Sequence, residues 1–336
     1  MTPPKLTFFC ELDTLALETL FTNSTVIDDL VALQAALSLG IIDLSPQRAE
    51  IVRRLNQAGV PVIAWQLLPK EEGYWFNSGN APQAKQRYAN FKTWTAEQNL
   101  HWAGIGIDIE PDIRQAQKLI DHKWQFLTTL IKQHQDSQKL SQAQADYQAL
   151  VAQMQADGYP VDSYLIPFII DERQAGATLL QRLAGLVDVA VDREVLMLYS
   201  SYMRPHGPGI LWNYAAEGQS AGLGNTGGGV DVGGLLDIPP LSWLELARDL
   251  RLARQWTDDI HIFCLEGCVA HGLLDQLKDF DWSETPAQPP HNAAQINLFR
   301  QIARALLWLS ANPMLLLAGL IWLTWLATNR KRRRPK

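Results

Sequence analysis

The sequence is poor in the residue clusters that mark several large functional classes. It has three cysteines in 336 residues, Cys10, Cys264 and Cys268. An odd number with no repeated pair spacing argues against a disulfide framework and against a four-ligand zinc site. Two of the three fall in the apolar run HIFCLEGCVA, where small buried thiols are expected. The seven histidines are scattered, without an HExxH or HxH pair, so a histidine-held metal has no support and no cofactor is expected. The glycine-rich stretch GLGNTGGGVDVGG at 222–234 lacks the Gly-Lys-Ser/Thr of a phosphate loop and does not open a helix as GxGxxG. It reads as a mobile loop over a ligand site. The amino terminus, MTPPKLTFFCELD, has no charged n-region followed by a long apolar run, so no export signal is visible.

Acidic residues are missing from one end. Eight of the 29 Lys and Arg follow residue 299 and none of the 35 Asp and Glu does, which leaves 21 basic against 35 acidic side chains, or −14, for residues 1–299. Such a body repels phosphate backbones, so nucleic acid is not an expected partner. Within the basic end, residues 305–328 run for 24 residues without a charge and are followed by RKRRRPK. At 1.5 Å per residue that segment reaches across a hydrocarbon layer of roughly 30 Å. The expectation is a single C-terminal transmembrane helix with the lipid bilayer as partner, and a basic tail over 329–336. Six basic residues beyond the helix favour a cytoplasmic tail and an exterior body. The absence of a visible export signal favours the opposite side.

The remaining chain alternates short apolar runs with helix-like segments, the pattern of parallel strands and crossover helices. Strands are expected at 6–13, 60–69, 102–112, 163–172, 195–202 and 260–267, with weaker candidates at 187–192 and 219–224. VIDDLVALQAALSL and PQRAEIVRRLNQAG read as helices. Seven or eight such units predict a (β/α)₈ TIM-type barrel over 1–282, with an open doubly wound sheet as the alternative. A polar, Gln-rich stretch over about 113–157 predicts a long helical insertion. The Pro-rich 283–299 predicts a linker to the anchor.

Carboxylates fall at the ends of the apolar runs: Glu11 and Asp13, Asp108 and Glu110, Asp171 and Glu172, and Glu266. In parallel α/β folds that edge is where ligands bind. GIGIDIEPD is the sharpest case, because residues two apart on a strand address one side about 6.6–7 Å apart. An acid kept protonated by burial beside an ionised neighbour suits general acid/base work on a glycosidic oxygen. Structural readings stand beside these: ion pairing with Arg114, Arg173 or Arg204 for Asp108 and Glu110, and helix capping for Asp13. Trp65, Trp75, Trp102, Tyr199, Tyr202 and Trp212 lie at or beyond strand ends, where their rings could stack on sugar faces.

Two stretches resemble chitinase-type glycoside hydrolases. Asp108 and Glu110 match the last D-x-E of the D-x-x-D-x-D-x-E strand, and Met197 and Tyr199 match M-x-Y of the M-x-Y-D strand. The resemblance implies Glu110 as general acid, Asp108 as support for an N-acetyl group acting as nucleophile, and Tyr199 as its orienting partner. Ala103 and Gly106 stand in place of the two earlier acids, and Ser200 in place of the acid after Tyr199. The leading expectation is a membrane-anchored, glycoside-hydrolase-like protein with a carbohydrate substrate. Its catalytic set is Glu110, Asp108, Glu266, Asp171 and Tyr199, and its binding set is Trp65, Trp75, Trp102, Tyr202, Trp212, Glu11 and Asp13. The alternatives are a phosphodiester or phosphate hydrolase holding Mg²⁺ or Ca²⁺ on these acids, and a non-catalytic glycan-binding barrel.

Overall fold

The structure of the protein, a computed structural model, describes residues 3–114, 137–232, 237–284, 288–312 and 314. Eight parallel strands close into a barrel in chain order: β1 (Lys5–Cys10), β2 (Ala36–Ile41), β3 (Val62–Gln66), β4 (Gly104–Ile109), β5 (Val161–Leu165), β6 (Arg193–Met197), β7 (Ser220–Gly224) and β8 (Asp259–Phe263). The TIM-type barrel is therefore the fold. Its helices are α1 (Thr14–Thr22), α2 (Thr25–Ala32), α3 (Pro46–Gln57), α4 (Ala81–Gln98), α5 (Ser137–Ala156), α6 (Phe168–Ala175), α7 (Leu179–Ala184), α8 (Gly207–Ala215), α9 (Trp243–Ala253), α10 (Leu265–Ala270), α11 (Leu273–Lys278) and α12 (Ala293–Ala311).

The period of two along each strand divides the core into layers. Leu6, Phe8 and Cys10 of β1 pack outward with the helices, while Phe9 belongs to an inner cluster with Trp65, Tyr164, Val195, Met197 and Phe263. The amino-terminal end of the barrel is closed by charge: Arg193 donates to Asp162 and to Asp259, with a shortest contact of 2.5 Å to each. The opposite end opens into the cavity described below.

Several sequence expectations are corrected. The helix read through VIDDLVALQAALSL ends at Ala32; Gln34 takes a left-handed φ of +51° and β2 follows. The strand expected at 163–172 stops at Leu165, because Pro167 opens the first turn of α6, where a fixed φ and a missing N–H suit a helix start. Residues 187–192 form no strand, and β6 begins at Arg193. Of the insertion expected over 113–157, Ser137–Ala156 is one helix, and 115–136 lie outside the described residues.

The end of the chain also differs. The segment expected to be a linker over 283–299 includes the first turns of α12, which docks on α6 and α8. Arg300 is buried there, donating to Asp171 at 2.7 Å and to Glu217 at 2.9 Å, with its guanidinium 3.7 Å from the Tyr214 ring centroid. Leu307 packs with Ala175 and Ala177. Residues 305–311 of the expected span thus belong to a helix held on the barrel, and 315–328 lie outside the described residues. Among the described residues no helix is long and apolar enough to cross a membrane.

Candidate active site

The carboxyl ends of the strands surround a cavity of about 190 Å³. Its polar floor and rim come from Glu11, Asp108 and Glu110, and its walls from Phe9, Trp65, Trp75, Tyr164, Tyr199, Tyr202, Phe263 and the loop after β7. Of the residues expected at the site, Glu11, Asp108, Glu110, Trp65, Trp75, Tyr199 and Tyr202 are brought together here.

Asp108 faces the barrel axis near the end of β4, and Glu110 continues the same side one step beyond. The chain after β3 secures that extension: Phe76 N–H donates to Asp108 O at 2.9 Å, and Glu110 N–H donates to Phe76 O at 3.2 Å. Asp108 is 3% exposed and its Oδ1 meets no donor at hydrogen-bonding geometry, although the Trp65 indole faces the carboxyl. Burial, then repulsion from Glu110 and Glu11, pushes its carboxyl well above the usual range. Burial alone pushes Glu110 up to about 7. No arginine pairs with either acid among the described residues. Arg114 binds Asp112, Arg173 binds Asp188 and Glu194, and Arg204 binds Glu245.

Glu11 extends from β1. Its Oε2 accepts the Val230 N–H at 2.9 Å, the Tyr74 phenol lies against the carboxyl, and its Oε1 meets no donor at hydrogen-bonding geometry. Burial is the main cause that pushes it up to about 8, reinforced by Glu266 and Glu110 and opposed by the Val230 and Tyr74 contacts. The glycine run explains how the chain comes so close. Gly228 has φ +142° and a Cβ there would lie 2.6 Å from Cys264 Sγ; Gly229 has φ +90° and a Cβ there would lie 2.5 Å from the Phe263 ring. Only glycine serves both the conformation and the space. Of the glycine-rich stretch, 222–224 end β7, Val230 and Val232 line the cavity, and Val230 ties the loop to Glu11.

Glu266 is not part of the cavity wall. It sits in the first turn of α10, where its Oε1 accepts the Glu11 N–H at 3.4 Å beside Cys10 and Cys264. Burial raises its carboxyl, and it supports the Glu11 backbone from behind. The three cysteines are free and buried, as the apolar run predicted for Cys264 and Cys268.

Four further expected site residues, besides Glu266, lie elsewhere. Asp171 is on α6, not on a strand, and is consumed by Arg300, Arg304 and the Tyr214 hydroxyl. Its neighbour Glu172 accepts Leu180 N–H and Gln181 N–H at the start of α7. Asp13 caps α1, accepting the Ala16 N–H at 2.8 Å. Trp102 precedes β4 at the far end of the barrel, donating to Thr95 Oγ1 at 3.1 Å and packing on Phe91 and Trp94. Trp212 is on α8, edge-on to Trp256 with centroids 5.7 Å apart.

Two residues escaped the sequence reading. Tyr164 of β5 fills the space that Gly106 leaves: a Cβ on Gly106 would lie 2.2 Å from Tyr164 Oη. The phenol shares a hydrogen bond of 2.6 Å with Ser38. A tyrosine on a neighbouring strand thus occupies the position where the chitinase-type pattern has an acid. The alternation of Ser163, Tyr164 and Leu165 could have flagged an inward ring, but not its partner. Arg48 of α3 is fully buried and donates to Gly40 O, Leu12 O and Thr14 Oγ1, tying the ends of β1 and β2 together beside the site. Among the described residues, no group of three or more His, Cys, Asp or Glu side chains is disposed to hold a metal ion.

No family model and no curated protein matches the chain. Among solved structures it is similar to a GH18 chitinase from Pseudoalteromonas aurantia at 10% identity, covering 82% of this chain and 100% of that one with a TM-score of 0.44. It is also similar to an L-ribulose 3-epimerase, at 10% identity over 90% and 96% of the two chains with a TM-score of 0.43. A D-psicose 3-epimerase from Clostridium cellulolyticum H10 is 13% identical over 90% and 96%, with a TM-score of 0.38. These likenesses are of barrel architecture.

Proposed function

We propose that this barrel is a carbohydrate-active hydrolase in which Glu110 is the general acid/base and Asp108 its partner. One observation carries the reading: two acids two residues apart at the end of β4, both raised by burial and both facing one aromatic-walled cavity. A carboxyl held near 7 keeps a proton to give to a glycosidic oxygen at neutral pH, and afterwards accepts one from water. Asp108, whose carboxyl burial also pushes well above the usual range, is a hydrogen-bond donor to the bound ring. Trp65, Trp75, Tyr199 and Phe263 offer faces to the apolar side of a sugar. Tyr199 lines the same wall, and we assign it the orienting role that the chitinase-type resemblance implies.

Glu110 must hold its proton to act as an acid, so turnover is expected to fall as pH rises through about 7. A screen of the full chain against α- and β-linked glycans, with and without EDTA, tests the reaction class. Glycan cleavage that survives EDTA supports it, and cleavage abolished by EDTA points to metal chemistry instead.

The proposal includes membrane association. It rests on the uncharged sequence up to residue 328, the basic tail, and the exposed Leu298, Phe299, Ile302, Leu306 and Trp308 on α12. Because 305–311 are docked, a span would begin near 312 and measure ~26 Å, at the short end for a bilayer. Carbonate extraction of membranes containing the full chain is expected to leave it in the pellet. Release into the supernatant would limit the contact to the membrane surface.

A further inference from the structure

The cavity combines three carboxyl groups with no cation. Among the described lining residues there is no Lys, Arg or His. The buried guanidinium of Arg48 is committed to Gly40 O, Leu12 O, Thr14 and Asp43. Two of the acids, Glu11 at 7% exposure and Asp108 at 3%, each have one oxygen, Glu11 Oε1 and Asp108 Oδ1, that meets no donor at hydrogen-bonding geometry, with the Tyr74 phenol and the Trp65 indole as the polar groups beside them. Buried acceptors in that state are rare in folded proteins and call for a partner. Trp65, Trp75, Tyr199 and Tyr202 line the walls, and aromatic rings suit a cation as well as a sugar ring.

We propose that the cavity selects a sugar bearing a protonated amine, a hexosamine with its amino group free, and that Glu11 receives the ammonium. This rests on the glycan reading above and narrows its substrate class. An ammonium brings three donors and no acceptor, which suits a site with orphaned oxygens and clustered acids. Its charge also offsets the mutual repulsion that opposes ionisation of Glu11, Asp108 and Glu110 together. A neutral hydroxyl does the first and not the second. An acetamido group adds a carbonyl that needs a donor and leaves the acids uncompensated.

The test is calorimetric titration of the full chain at pH 7 with three probes: the β-1,4-linked disaccharide of glucosamine, its N-acetylated counterpart, and cellobiose. The amine sugar is expected to bind at least ~10-fold more tightly than either other. Glu11→Gln is expected to remove that preference. Binding should also release protons, seen as a buffer-dependent heat in two buffers of different ionisation enthalpy. The titratable groups that face Glu11 are Glu266 of α10, Asp108 of β4 and Glu110 just beyond it, Tyr74 after β3, and Tyr199 and Tyr202 after β6. The buffer experiment needs only the unmodified chain, so it stands even if the variant does not fold. Equal or tighter binding of the acetylated or neutral sugar overturns the inference and leaves the glycan reading intact. Binding of none of the three overturns both.

Discussion

Glu11 offers a test of the site's electrostatics that does not depend on a substrate. Its carboxyl is pushed from an ordinary 4.5 up to about 8, chiefly by burial. The folded protein therefore binds this proton more tightly than the unfolded chain, and the stability it contributes is fully present below 4.5 and lost as pH rises through 8. At 1.36 kcal/mol per pH unit, the loss across that window is about 5 kcal/mol at most. Glu11→Gln replaces the protonated carboxyl with a neutral isostere whose carbonyl can still accept the Val230 N–H, but whose amide leaves donors to satisfy, at a cost of about 1–2 kcal/mol. Urea denaturation of both proteins at pH 5 and pH 9 should show a crossing, with the variant the less stable at pH 5 and the more stable at pH 9. A difference of the same sign and size at both pH values would refute the claim that this acid is held protonated by its surroundings.

Other substitutions separate the site from its scaffold. Gly106→Ala forces a Cβ into the Tyr164 phenol and is expected to cost about 1–3 kcal/mol in urea denaturation, together with weaker sugar binding because Tyr164 lines the cavity. Gly228→Ala meets both an unfavourable φ and the Cys264 thiol; a fall in sugar affinity of at least ~10-fold, for a stability cost of about 1–3 kcal/mol, is the expected pattern. Asp171→Asn leaves Arg300 short of a partner in a buried setting and should destabilise the protein by about 3 kcal/mol. Turnover per folded molecule should remain unchanged, and a specific loss of turnover would return Asp171 to the site.

The sequence made the carboxyl edge of the barrel legible and the helical scaffold less so. Acids embedded in apolar strands cost too much to be casual unless paired, and Glu11, Asp108 and Glu110 indeed share the cavity unpaired by any arginine. The same reasoning failed for Asp171, because an apolar run does not reveal whether it is strand or buried helix; Pro167, read as a helix start, would have moved it off the strand. β2 was hidden because ALSLGI follows a helix without a Gly or Pro, and the turn is made by Gln34 in a left-handed conformation. Tyr164 and Arg48 were missed because their roles depend on neighbouring strands and on α3, and no local pattern encodes such a partner. The aromatics divided by position: Trp65, Trp75 and Tyr202 follow or end strands, whereas Trp102 precedes β4 and Trp212 rides a helix.

The central claim is that Glu110 supplies the proton in glycan cleavage. Its most direct test is the turnover of the full chain and of Glu110→Gln on a cleaved glycan, followed from pH 5 to pH 9 with melting temperatures measured in parallel. The account predicts wild-type turnover that declines above about pH 7, a loss of ~10³-fold in the variant, and a melting temperature for the variant that is unchanged or raised. Turnover retained by Glu110→Gln with the same pH profile would contradict it.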